Sequence, residues 1–158
     1  MRLTTDAIDS SGRFDARYTC DIDNSSPELR WENPPQGTEG YAILAEDPDV
    51  HPGPFAHWVV YNIPVSVLHL PTGIPTQDSL PNGIRQGVNG FGKLGYAGPC
   101  PPRGSSGHQY VFRLFALSSL PELSSRLSRE RLLAEITPYI LAVTQVEGRY
   151  TRSVERAS

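Results

Sequence analysis

No segment of the chain approaches the ~20 consecutive apolar residues that a membrane-spanning helix requires, so no membrane span is expected. The first twelve residues, MRLTTDAIDSSG, lack the apolar stretch of a secretory signal, and a cytoplasmic location is expected. A basic run is missing as well. Net charge is −3, and the densest cluster, Arg126, Arg129 and Arg131, alternates with Leu and Glu like the solvated side of a helix. Nucleic acid is therefore not expected as a partner. Methionine occurs once and cysteine twice. Cys20 and Cys100 are too far apart for a CxxC redox pair and too few for a structural zinc site. They read as two small buried apolar side chains; a bridge is open to them if the fold brings them together, and a cytoplasmic compartment argues against it. Neither HExxH nor GxSxG occurs, and Ser105 and Ser106 lie between Gly104 and Gly107 in a plain loop pattern.

What the chain has in plenty is turn formers. Its 15 Pro and 14 Gly are scattered along 158 residues without a period, which demands many turns and excludes collagen. With 38% hydrophobic and 20% charged residues, the chain fits one domain spanning 1–158 with a single core.

Short β-like pieces open the chain, at 17–20 and again around Leu29 and Trp31, separated by Asx, Ser and Pro turns. Residues 41–46, uncharged until Glu46 and bounded by Gly40 and Pro48, read as a buried strand. The stretch 57–63, His-Trp-Val-Val-Tyr-Asn-Ile, is the clearest strand, with aromatic and β-branched side chains throughout. Residues 64–107 read mostly as loop, and a connection of that length inside a domain is usually functional. In 108–117, the side chains of His108, Tyr110, Phe112, Leu114 and Ala116 share one face. Tyr41, Ile43, Trp58, Val60, Phe112 and Leu114 are the expected core. Ser128 can cap a helix running to about Ile136. Thr137-Pro138 reads as a fresh N-terminus for a second helical segment, to about Val146, with a last short strand at 149–152. Strands early and helices late indicate a mainly β or α+β class.

Four residues have side chains suited to chemistry: Asp47, Asp49, His57 and His108. If the strand at 41–46 runs on through Asp47, a period of two places Asp47 and Asp49 on one side. His57 and His108 open strands beside long loops, where binding sites are commonly built. Taken singly, each Asp reads as a turn former and each His as a hydrogen-bonded structural residue. Two Asp and two His would also suit a metal-dependent hydrolase, although no tight ligand spacing supports one.

The order of motifs adds more. Asp47-Pro48-Asp49, the run from His57 to Pro64, Gly98-Pro99-Cys100-Pro101-Pro102-Arg103-Gly104, and then His108 and Tyr110 resemble signature blocks of the phosphatidylethanolamine-binding protein family, which includes the Raf-kinase-inhibitor-like proteins. Tyr18-Thr19-Cys20-Asp21 with Asn24, and Gly148-Arg149-Tyr150 with Arg152, resemble its opening and closing blocks. The resemblance implies a β-sandwich of two packed antiparallel sheets, with long Pro- and Gly-rich loops and a C-terminal helical element. It also implies a pocket for a small anionic or phosphorylated ligand, formed by Asp47, Asp49, His57, Gly98, Pro99, His108 and Tyr110. No catalytic residue, metal or cofactor is implied, and the chain is not expected to be an enzyme. Relatives act as inhibitors of kinases or proteases, so a regulatory role through the surface is the alternative, and the resemblance admits a homodimer. Three departures touch the pocket rim: Val50-His51-Pro52 is one residue longer than usual, Gln109 replaces the usual Arg, and Gly107 is extra. His51 reads as an exposed loop residue. Two carboxylates repel an anion. The imidazoles, with inward backbone N–H groups around Gly95 to Gly98, are expected to offset them, and a zwitterionic head group would suit both charge sets.

Overall fold

The residues that read as a buried strand become the centre of the molecule. In the computed structural model, which describes residues 1–50 and 52–152, Gly40–Asp47 forms a strand with all eight residues buried. It is β3, after β1 (Arg2–Thr4) and β2 (Leu29–Glu32). Then come β4 (Phe55–Pro64), β5 (His69–Leu70), β6 (Arg85–Gln86) and β7 (His108–Leu117). Helix α1 (Arg129–Ile136) and strand β8 (Ile140–Tyr150) close the chain. A five-stranded antiparallel sheet runs β6-β4-β3-β7-β8, and a three-stranded one runs β1-β2-β5.

Alternation along the strands divides the apolar residues between two layers. Tyr41, Ile43, Trp58, Val60, Phe112 and Leu114, the core expected from the sequence, are 2% exposed or less and pack toward Leu3, Leu29, Trp31 and Leu70 of the small sheet. Ala42, Leu44, Val59, Tyr61, Phe115 and Leu117 face the other way, against Leu127, Leu132 and Ile136 on and before α1. Being covered on both faces, β3 has no need of polar residues at alternate positions. This is why it reads as one apolar run.

Ser128 caps α1 as expected, its hydroxyl accepting from the Arg131 N–H at 3.3 Å. The second helical segment is corrected. After a 3-10 turn at Thr137–Tyr139 the chain enters β8, which pairs with β7 along its whole length. Ile140, Val143, Thr144 and Val146 are β-branched, and burial alternates through the strand, so period two prevails over the helix-start signal of Thr137-Pro138. Residues 16–18 likewise form a 3-10 turn, not a β piece, with Asp15 accepting from the Arg17 N–H at 2.9 Å. The reading of Cys20 and Cys100 as separate thiols is also corrected: they form a disulfide, with Cα atoms 5.5 Å apart. The turn after Tyr18 packs against the loop after Gly98, and the Cys20 N–H donates to the Pro99 carbonyl at 3.2 Å. His51 lies outside the described residues. No described helix is long and apolar enough to cross a membrane.

Candidate functional site

Asp47, His108 and Tyr110 reach the same side of the large sheet by strand parity. Asp47 follows Ala45 and Ile43 along β3, and His108 and Tyr110 precede Phe112 along β7. His57 arrives by another route. Ala45 pairs with Trp58 but Glu46 pairs with Ala56, so His57 is the extra residue of a β-bulge in β4. Simple alternation would send His57 to the face opposite Trp58. The bulge re-aims it to the same side, where its ring meets the edge of Tyr110 at 5.3 Å between centroids. His108 stacks on the same Tyr110 at 6.3 Å, so both imidazoles neighbour one phenol.

Both imidazoles are committed at the same ring atom. His57 Nδ1–H donates to the Ala97 carbonyl at 2.6 Å, and His108 Nδ1–H donates to the Asp47 carboxylate. Each acceptor is fixed as an acceptor, so the proton sits on Nδ1 in both rings. Among the described residues, neither Nε2 has a partner within the protein. Asp47 is 2% exposed. Burial lowers the His57 pKa and His108 adds to the lowering, while the Ala97 carbonyl and the Asp47 carboxylate oppose it. Burial, with the Asp47 charge, raises the Tyr110 pKa, which keeps the phenol protonated as a hydrogen-bond donor.

Asp49 differs from expectation in its surroundings. β3 stops at Asp47, and the chain turns back so that the Asp49 N–H donates to Asp47 Oδ1 at 2.9 Å. The Asp49 side chain is exposed, so period two does not carry it into the buried pair. Gly98 and Pro99 lie in the loop beside the site. Pro99 lines a cavity of about 10 Å³ with His57, Tyr96 and Tyr110, room for about one water. Gly98 is buried, and a Cβ there would lie 2.2 Å from the Tyr18 carbonyl oxygen, which restricts the position to glycine. The expected inward N–H groups of this loop are used internally. Gly95 donates to the Gly87 carbonyl, Ala97 to the His57 carbonyl, and Gly98 to Asn24 Oδ1.

Several residues that the sequence marked only as motif members, and Tyr96, which it did not mark, support the site. Asn24 holds Gly98 at 2.7 Å, and the Tyr96 hydroxyl donates to the Tyr18 carbonyl at 2.6 Å. The Tyr150 hydroxyl and Arg152 both engage Asp21. An open groove of about 710 Å³ adjoins the site, lined in part by Cys20, Asn24, Phe91, Lys93, Ala97 and Cys100. The Gly-flanked Phe91, 58% exposed, was the one signal in the sequence that could have marked it. Among the described residues, no group of three or more His, Cys, Asp or Glu is placed to share a metal ion.

The chain is similar to known proteins of one family. Residues 4–151 match the family described as phosphatidylethanolamine-binding protein. A UPF0098 protein of Methanothermobacter thermautotrophicus is 40% identical over 152 residues, covering 96% of this chain and 99% of the relative. One of Aquifex aeolicus is 42% identical over 139 residues, covering 85% and 79%. The crystal structure of Escherichia coli YbcL, described as a member of the mammalian PEBP family, superposes with a TM-score of 0.86 at 30% identity, covering 95% of this chain and 97% of that one.

Proposed function

The chain belongs to the phosphatidylethanolamine-binding protein family, and we propose that it binds small anionic or phosphorylated ligands between His57 and His108 without turning them over. The supporting observation is the shared state of the two rings. With Nδ1 donating inward in both, a neutral imidazole presents only an acceptor at Nε2. An anion is held there only when Nε2 gains a proton, so anion binding takes up protons and strengthens as pH falls. The Tyr110 hydroxyl, kept protonated by its surroundings, supplies a donor that does not depend on pH near neutrality.

Sulfate is the suitable probe, because it remains a dianion while a phosphoryl group titrates in the opposite sense, near pH 6 in phosphorylated side chains. By calorimetry, sulfate is expected to bind more tightly at about pH 5.5 than at about pH 8. His108→Ala should weaken binding and flatten that dependence. His69→Ala should do neither, because His69 is exposed and paired with Glu28 at 2.8 Å, away from the site. Equal affinity at both pH values, with normal binding by His108→Ala, would remove the imidazoles from the reading.

Inhibition of a kinase or protease through the surface, and a homodimer, rest on the family resemblance alone. Partner capture that survives His108→Ala would favour the surface. The disulfide bears on location: such bridges persist in oxidising surroundings, which favours an oxidising or redox-cycled compartment over the cytoplasm expected from composition.

A further inference from the structure

We propose that the disulfide between Cys20 and Cys100 is a redox latch on the anion site, clamping the loop that holds His57, so that reduction by a dithiol weakens anion binding. The inference rests on the binding reading above and adds a regulation to it.

The loop at 97–100 is the surface against which His57 is set. The Ala97 carbonyl takes His57 Nδ1–H, the Ala97 N–H returns to the His57 carbonyl at 2.9 Å, and Pro99 lines the cavity beside the ring. On its far side the loop rests on the turn at 18–24. Cys20 N–H donates to the Pro99 carbonyl, Gly98 N–H to Asn24 Oδ1, and at the start of the loop the Tyr96 hydroxyl to the Tyr18 carbonyl. The disulfide is the covalent tie across the same seam. Neither segment belongs to a β-strand, so opening the tie leaves a loop pinned by single hydrogen bonds.

The bridge is also placed for thiol exchange. Cys100 is exposed, and both cysteines line the groove of about 710 Å³, wide enough to admit a thiol. Arg152 Nη1 lies 3.4 Å from Cys100 Sγ. A guanidinium there stabilises a thiolate and makes Cys100 the better leaving group. Lys93, the single lysine of the chain, lines the same groove and draws in an attacking thiolate. One thiolate of the dithiol attacks Cys20 Sγ, forming a mixed disulfide and expelling Cys100 as thiolate beside Arg152. The second thiolate of the reagent then attacks its own sulfur in the mixed disulfide and expels Cys20. Two electrons pass from the dithiol to the protein, the reagent leaves as a cyclic disulfide, and the cysteines take up two protons.

Sulfate titration of the oxidised protein and of protein held in dithiothreitol tests this, since dithiothreitol is uncharged and does not compete for the pocket. Thiol counting confirms the redox state, and circular dichroism the fold. Reduction is expected to weaken sulfate about fivefold or more and to speed amide exchange at Ala97 while leaving Val60 in β4 unchanged. The double variant Cys20→Ser, Cys100→Ser should bind like the reduced protein and ignore dithiothreitol. Equal sulfate affinity in both redox states overturns the latch and leaves the anion pocket standing. Sulfate binding by neither form overturns the pocket and the latch with it. Loss of the fold on reduction makes the bridge a structural staple and also overturns the inference.

Discussion

Glu46 and Asp47 are adjacent carboxylates, both buried, on opposite faces of one strand, and they are held in opposite ways. Glu46, on the α1 side, takes Arg113 of β7 at one oxygen and Arg129, the first residue of α1, at the other. Asp47, on the small-sheet side, takes His108 and the Asp49 N–H. Arginine keeps its charge at every accessible pH, so the Glu46 cluster has one electrostatic state and fastens the helix to the sheet. Asp47 instead holds an imidazole by Nδ1 and leaves its Nε2 without a partner among the described residues, so this pair can answer a ligand. A single step along β3 separates a fixed ion cluster from an adjustable one.

Substituting the fixed member should have the largest effect. Glu46→Gln removes the buried counter-charge shared by two partly buried guanidiniums, leaving Arg129 only the exposed Glu130, and should cost about 3–5 kcal/mol in urea denaturation. Sulfate affinity of the folded protein should stay unchanged. A loss below ~1 kcal/mol would show that the cluster does not fasten the helix. Asp47→Asn should cost less, about 1–3 kcal/mol, and act mainly on the ligand. The Asp47 charge opposes the lowering of the His57 pKa by burial, so its removal should move the pH profile of sulfate binding to lower pH. An unmoved profile would separate Asp47 from the ligand response.

The smallest effect belongs to His57. Burial lowers its pKa in the fold, so around and below the ordinary imidazole range of ~6.5 the unfolded chain binds the proton more readily. The stability contributed by neutral His57 is complete above that range and is lost as pH falls through it toward the lowered folded value. Wild type should therefore lose more stability than His57→Gln between about pH 7.5 and pH 5.5. Asp47, His108, Tyr96 and Tyr110 surround the ring in both proteins, so comparing the two losses isolates His57. Equal losses would show that His57 is as easily protonated in the fold as in the unfolded chain.

Much of the sheet was legible because its strands carry their pattern locally. The stretch 108–117 is β7 residue for residue, and 41–46 and 57–63 are the cores of β3 and β4. β8 was misread because Thr137-Pro138 opens helices as readily as it ends them, and only pairing with β7 decides. Glu46 was read as the polar end of a strand, and nothing near it announces two arginines from β7 and α1. The candidate residues were named from the order of family motifs. Their convergence was not legible, because His57 depends on a bulge that period-two reasoning does not contain. The Cys20 pairing with Cys100 was not legible for a similar reason: an eighty-residue separation does not tell whether two loops meet in the fold.

The last strand also fastens the first part of the chain. The Arg149 carbonyl accepts from the Phe14 N–H, the Arg149 N–H donates to the Gly12 carbonyl, and Tyr150 and Arg152 close on Asp21. During synthesis the N-terminal segment must therefore wait, with Phe14 and Tyr18 uncovered, until more than a hundred further residues have been made. Contacts so distant in sequence slow folding, because chain closure precedes any gain from packing. A ribosome-bound chain halted before β8 should remain open to protease around residues 12–21, and release of the finished chain should protect that segment in one step.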